Sequence, residues 1–231
     1  MISRDIRAGL RAGVPIMLGF FPVAVSYAII GRQAGLNTFQ IGVMSLTVFA
    51  GASQIMAAGM LIQGAGFIAI VVATFLLNLR HIIMSTCVFE RMEPSRRSLR
   101  LWAAYYVTDE SFAVFTTGQI EHRSVWFFLS LGLATYAAWF TGSVLGSILT
   151  DFLPVILSDS LGIALYALFT ALLVPNLPGN GRLALLVLMT AVFNTLLGQF
   201  MAQSWSLIMS TLLCALIGVY FVDMEEDEQH E

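Results

Sequence analysis

Asn78-Leu79-Arg80-His81 interrupts an otherwise apolar run from Phe67 to Phe89, and Thr108-Asp109-Glu110-Ser111 interrupts another, from Leu99 to Gly118. An arginine near the bilayer centre costs about 2.5–3.5 kcal/mol on translocon scales, so it persists there only with a counter-charge or a wet cavity. The acidic pair is the other charge at that depth, and an ion pair to Arg80 is the natural compensation. Asp109, which shares a helical face with Tyr105, Phe112 and Thr116, is the first choice of partner; Glu110, on the face of Tyr106 and Thr117, is the alternative. The acid left without the guanidinium is a candidate proton carrier, and so is His81. Thr74, Asn78, His81 and Ser85 fall on one helical stripe, with Arg80 projecting about 100° away from His81. The competing reading of the whole cluster is a closed Arg-carboxylate-His network that only ties helices together.

The elements that carry these groups are membrane helices. The 231 residues are 58% hydrophobic and 11% charged, and several separate apolar runs are long enough to span a bilayer. Spanning segments are helices or closed barrels, and the runs lack the alternation of barrel strands, so the expected class is an all-α polytopic membrane protein. One transmembrane domain is expected to use residues 1–231, with a first half over 13–119 and a second over 125–222. All eleven basic residues are arginine, and their positions follow topology, which gives no reason to expect nucleic acid as a partner. Cys87 and Cys214 lie in apolar stretches without CxxC or histidine-rich spacing, so neither a disulfide framework, a metal site nor a cofactor is indicated.

Ile2, Ile6 and Leu10 oppose Arg4, Arg7 and Arg11, which predicts a short basic helix over residues 1–12 lying on the membrane surface. The following run, Val14 to Ile30, contains Pro15, Gly19 and Pro22 and is expected to be a kinked, retained span. Thr38 to Ile62 is interrupted by Ala50-Gly51-Ala52-Ser53-Gln54, which fits either two half-helices or an unbroken span with small packing residues.

Arginine counting separates these. If every apolar run crosses once, the loop arginines divide five and five, against the positive-inside rule. If Thr38 to Ile62, and likewise Leu161 to Val174 before Pro175-Asn176, enter and leave on one side, eight lie inside and only Arg32 and Arg123 outside. The expectation is therefore six full spans plus two re-entrant or broken helical segments, with both termini cytoplasmic and an acidic, disordered tail over 223–231. Three spans and one interrupted segment per half would make the halves inverted. Phe20 and Phe140, Gly42 and Gly162, and Phe49 and Phe169 are 120 apart, and Thr74 and Asn78 are matched by Thr190 and Asn194 at 116, a faint echo of such an inverted-topology repeat. Repeats of that kind point to a secondary transporter with its site where interrupted helices meet. Ala138, Gly142 and Gly146 form a close helix-packing face in the run from Val125 to Leu149.

Gly9-Leu-Arg-Ala-Gly-Val-Pro15 leading into Gly19-Phe-Phe-Pro22, Phe49-Ala-Gly-Ala-Ser-Gln54, Asn78-Leu-Arg-His81 and Asp109-Glu-Ser-Phe-Ala113 together resemble the AzlC-type branched-chain amino-acid exporter family. The resemblance covers most of the chain and is strongest before residue 115. It implies a bacterial inner-membrane protein exporting valine, leucine or isoleucine, and methionine as a further substrate, together with a small AzlD-type membrane subunit. A zwitterionic substrate of that class needs a cationic or N–H-rich place for its carboxylate and an acceptor-rich place for its ammonium. Arg80 or the half-helix start after Gly51 can serve the first, and Asp109, Glu110 or backbone carbonyls the second. The candidate substrate-binding residues are Gly51, Ser53, Gln54, Asn78, Arg80, Asn176 and Asn194; the candidate proton-coupling or charge network is Arg80, His81, Asp109 and Glu110. An enzyme is not expected, since there is no HExxH, no paired aspartates on two spans and no GxS with a partner. The rival reading is a channel or structural membrane subunit with Arg80 and Asp109 or Glu110 as a static tie.

Overall fold

A computed structural model describes residues 2–117, 124–152, 170, 174 and 181–228. The described elements are helical: α1 (Ile2–Gln33), α2 (Thr38–Thr47), α3 (Gly51–Ile62), α4 (Phe67–Asn78), α5 (Arg80–Arg91), α6 (Arg97–Tyr105), α7 (Asp109–Thr117), α8 (Val125–Leu149), a 3-10 turn at Thr150–Phe152, α9 (Gly181–Leu197) and α10 (Gln203–Glu228). Among them, Ile2–Gln33, Phe67–Arg91 and Val125–Leu149 are long and apolar enough to cross a membrane, and shorter apolar helices accompany them. The protein is an all-helical polytopic membrane protein. The chain divides into two compact units, residues 1–63 with 77–165 and residues 64–76 with 166–231.

In the first unit α1 and α8 pack along a seam of glycines. A Cβ on Gly9 would strike Ser130, and one on Gly13 would meet Ala134; one on Gly142 would meet the backbone of Phe21, and one on Gly146 the backbone of Val25. The pairs 9 with 130, 13 with 134, 21 with 142 and 25 with 146 are each 121 residues apart, and a constant difference means the two helices run parallel. Small residues let the backbones approach, which is how helices associate where lipid is as apolar as leucine. Residues 2–12, expected as a separate surface helix, instead continue unbroken through Pro15 and Pro22, with Gly9 and Gly13 packed on α8.

Two helical hairpins fill the space beside this seam, entering from opposite ends. Thr38 accepts a hydrogen bond from Ser147 (2.9 Å), Gly42 faces Val144, and the Leu46 carbonyl accepts from Tyr136 (2.9 Å), so α2 descends antiparallel to α8. The turn Val48–Ala50 then sends α3 back, and the Gln54 amide of α3 donates to Ser45 of α2. The second hairpin is α6–α7. At its base, Arg96 and Leu99 line one cleft with Ser124 and Val125; at its tip, Tyr106 sits against Gly132; on the return, the Phe115 ring lies 5.1 Å from that of Phe128. Helix α5 runs alongside α7, with Arg80 near Asp109 at one end and the Arg91 guanidinium donating to the Thr116 carbonyl at the other. A separate apolar cluster surrounds each hairpin: Tyr27, Ile41, Ile55 and Trp139 around the first, Val88, Phe115, Phe128 and Leu131 around the second.

The expectation for Leu99 to Gly118 was a full crossing, and here the structure differs. That stretch breaks at Tyr106–Thr108 and returns, so the loop after Arg91 and the start of α8 lie at the same end instead of opposite ends. The inversion also has another spacing. Gln33, Thr47 and Gly51 end α1, end α2 and begin α3; Arg91, Tyr105 and Asp109 end α5, end α6 and begin α7, each 58 residues on and running the opposite way. Leu149, the end of α8, is twice that interval beyond Gln33, and α8 is parallel to α1. The echo of Phe20 in Phe140 thus connects the parallel helices α1 and α8, while the inverted pair within the first unit is half as far apart.

In the second unit α9 and α10 pack antiparallel, Gly218 against Leu186 and Gly198 near Ser206. Helix α10 continues to Glu228 through most of the segment expected as a disordered tail. The run from Leu161 to Pro175-Asn176 and the turn at Arg123, both assigned from sequence, lie outside the described residues.

Candidate functional site

Near the middle of the first unit the helical run Phe67–Arg91 is interrupted at Leu79, between α4 and α5. The residues on either side of the interruption each hold a different hairpin. Ser53, in the first turn of α3, donates to the Asn78 side-chain oxygen at 2.9 Å; Arg80 donates to Asp109, the first residue of α7, through both terminal nitrogens at 2.9 Å. The Arg80–Asp109 pair is bidentate, the geometry that a planar guanidinium and a carboxylate favour. Its side chains are 38% and 42% exposed within the protein, so the pair is not sealed in the core. His81 lies with Nδ1 3.2 Å from the Asn78 carbonyl oxygen.

The structure thus chooses between the two acids. Asp109 takes the guanidinium, and Glu110 forms no ion pair among the described residues. The Asp109 carboxylate also sits in the first turn of α7, where the helix dipole favours negative charge.

The two half-helix starts differ in how their free N–H groups are used. At α7, Thr108 and Ser111 cap each other: the Ser111 N–H donates to Thr108 Oγ1 (3.2 Å) and the Thr108 N–H to Ser111 Oγ (2.8 Å). At α3 the N-cap is Ala50, whose methyl group makes no capping hydrogen bond, and the first turn carries no acid. The N–H groups at the start of α3 therefore lack a side-chain cap, and a helix start of that kind attracts anions.

Gly51 and Gln54 owe their places to Trp139. A Cβ on Gly51 would come within 2.6 Å of the indole, so the glycine admits the ring. The indole N–H donates to the Gln54 side-chain oxygen at 3.0 Å, Tyr27 stacks on the ring at 5.9 Å between centroids, and Gln54 is fully buried. With its other end on Ser45, the Gln54 amide is committed to the protein. Gly51, Ser53, Gln54, Asn78, Arg80, His81, Asp109 and Glu110 are thus gathered in one unit. Asn194 belongs to the other, where its side chain accepts from Ser206 at 3.0 Å, and Asn176 lies outside the described residues. The partnership of Trp139 with Gln54 spans 85 residues and left no mark in the sequence beyond an aromatic near the α8 glycines.

The family model described as AzlC protein matches residues 15–153, which contain both hairpins and the interruption at Leu79. The chain belongs to the AzlC family. Similar AzlC-family and membrane proteins include an uncharacterized membrane protein of Archaeoglobus fulgidus, 33% identical over 77% of this chain and 78% of its own. The inner membrane protein YgaZ of Escherichia coli is 24% identical over 75% of this chain and 74% of its own. The branched-chain amino acid transport protein AzlC of Bacillus subtilis is 22% identical over 73% of this chain and 66% of its own. No solved structure matches the chain. AzlC-family membership makes this a membrane protein of a family linked to branched-chain amino-acid transport.

Proposed function

We propose that the protein is a secondary transporter that exports branched-chain amino acids, and methionine as a further substrate, across the bacterial inner membrane, with the N-terminus cytoplasmic. The observation that carries this reading is the pair of ties at the Leu79 interruption, one to the start of each hairpin, because a site built from both hairpins can be approached from both ends of the unit. The substrate carboxylate sits at the uncapped start of α3, over the N–H groups of Gly51 to Ser53, with Asn78 and Arg80 beside it. The ammonium is held by Asp109 and neighbouring backbone carbonyls. Gln54 acts by fixing Trp139 and not by touching substrate. Glu110, without a cation of its own, carries the coupled proton, with His81 as the neighbouring group. Asn194, the echo of Asn78 in the sequence, is a further candidate substrate contact. A small AzlD-type subunit completes the transporter.

The test is substrate counterflow in proteoliposomes, with and without the small subunit. Saturable leucine or valine counterflow is the expected result; its absence in both preparations leaves the channel or static-tie reading standing.

A further inference from the structure

The hairpins meet end to end, and a tyrosine hydroxyl joins their tips. The Leu46 carbonyl, in the last turn of α2, is one of those that a helix end leaves without an intrahelical partner. It accepts two hydrogen bonds, one from Tyr105, the last residue of α6, and one from Tyr136 of α8 at 2.9 Å. The first bond crosses from one hairpin to the other. Immediately beyond, Phe49 has a φ of +39° and is 4% exposed. A bulky residue in the left-handed region is an outlier that persists only when its surroundings impose it. Those surroundings are the rings of Tyr105, Tyr106 and Tyr136, with centroids 6.2, 6.2 and 5.1 Å from that of Phe49.

We propose that Tyr105 and Tyr136 are a latch on the tip of α2–α3, Tyr105 tying it to the tip of α6–α7 and Tyr136 tying it to α8, and that this latch opens and closes during transport. Hairpins that enter from opposite ends and touch at their tips place that contact across a path between the two ends of the unit. A passing solute must part it. Two hydroxyls on one carbonyl make a bond that breaks and reforms without unfolding either helix. The proposal rests on the reading of this unit as a transport path.

The experiment uses the full chain in proteoliposomes, on a background lacking Cys87 and Cys214, with Ala50→Cys as a probe at the tip. Loss of both hydroxyls in the Tyr105→Phe, Tyr136→Phe double variant removes two hydrogen bonds, and labelling by a water-soluble maleimide is expected to rise about ten-fold, with single variants between. Phe49→Gly keeps both hydroxyls but frees the backbone, and is expected to raise labelling as well, which guards against a double variant that does not fold. A rise below about three-fold in every folded variant overturns the latch. Leucine counterflow in the same vesicles keeps the two readings apart: faster labelling with no counterflow leaves the latch standing and removes the transport reading, and counterflow with unchanged labelling does the reverse.

Discussion

Arg80 and Asp109 illustrate how far a single charge can be reasoned about before its surroundings are known. A buried arginine demands a counter-charge, and only two carboxylates lay at its depth; which one it takes depends on the register of α5 against α7. The half-exposed pair should be worth less than a sealed one. Arg80→Ala or Asp109→Asn is expected to cost about 1–3 kcal/mol, between the values for exposed and buried pairs. Thermal unfolding of both single variants and the double checks it, with an expected coupling of about 0.5–3 kcal/mol, while Arg80→Ala paired with Glu110→Gln should be additive. Additivity in the Asp109 cycle would remove the pair from the energetics.

Among the elements, the hairpins carry the sharpest tests. α3 contains two glycines in contrasting surroundings: a Cβ on Gly51 meets the Trp139 ring at 2.6 Å, whereas one on Gly59 meets nothing within 4 Å. Gly51→Ala should destabilise the protein by about 1–3 kcal/mol through overpacking. Gly59→Ala should be neutral or stabilise it by about 0.5–1 kcal/mol, since alanine gives up less backbone freedom in a helix. Melting temperatures of the two variants give the comparison. The second hairpin is tested by sidedness. Glu93→Cys and Ser124→Cys, at the base of α6–α7, should react with an impermeant thiol reagent from one side of the membrane, and Gln63→Cys, at the far end of α3, from the other. Labelling of the first two from opposite sides would restore a full crossing over Leu99 to Gly118.

For the molecule as a transporter, the division of labour between the acids predicts its response to pH gradients. Glu110→Gln is expected to keep leucine counterflow within about three-fold, because the Arg80–Asp109 tie is untouched, and to lose acceleration by a proton gradient. Unchanged acceleration would take Glu110 out of the coupling. Much of this protein was legible in its sequence. Uninterrupted apolarity dictated membrane helices, since a backbone in lipid must satisfy its own hydrogen bonds, and the cost of charge in hydrocarbon singled out Arg80, Asp109 and Glu110. The break at Gly51 was marked by glycine and polar residues at membrane depth. The return at Tyr106–Thr108 was not, because an apolar stretch about 20 residues long satisfies the composition of a crossing whether or not it turns back. Direction was decided by contacts between distant residues: Phe115 on Phe128, Tyr106 on Gly132, and the constant 121-residue offset of the α1–α8 seam. Those contacts depend on side chains far apart in the chain fitting one another, and close packing of that kind has no local signature for a sequence to display.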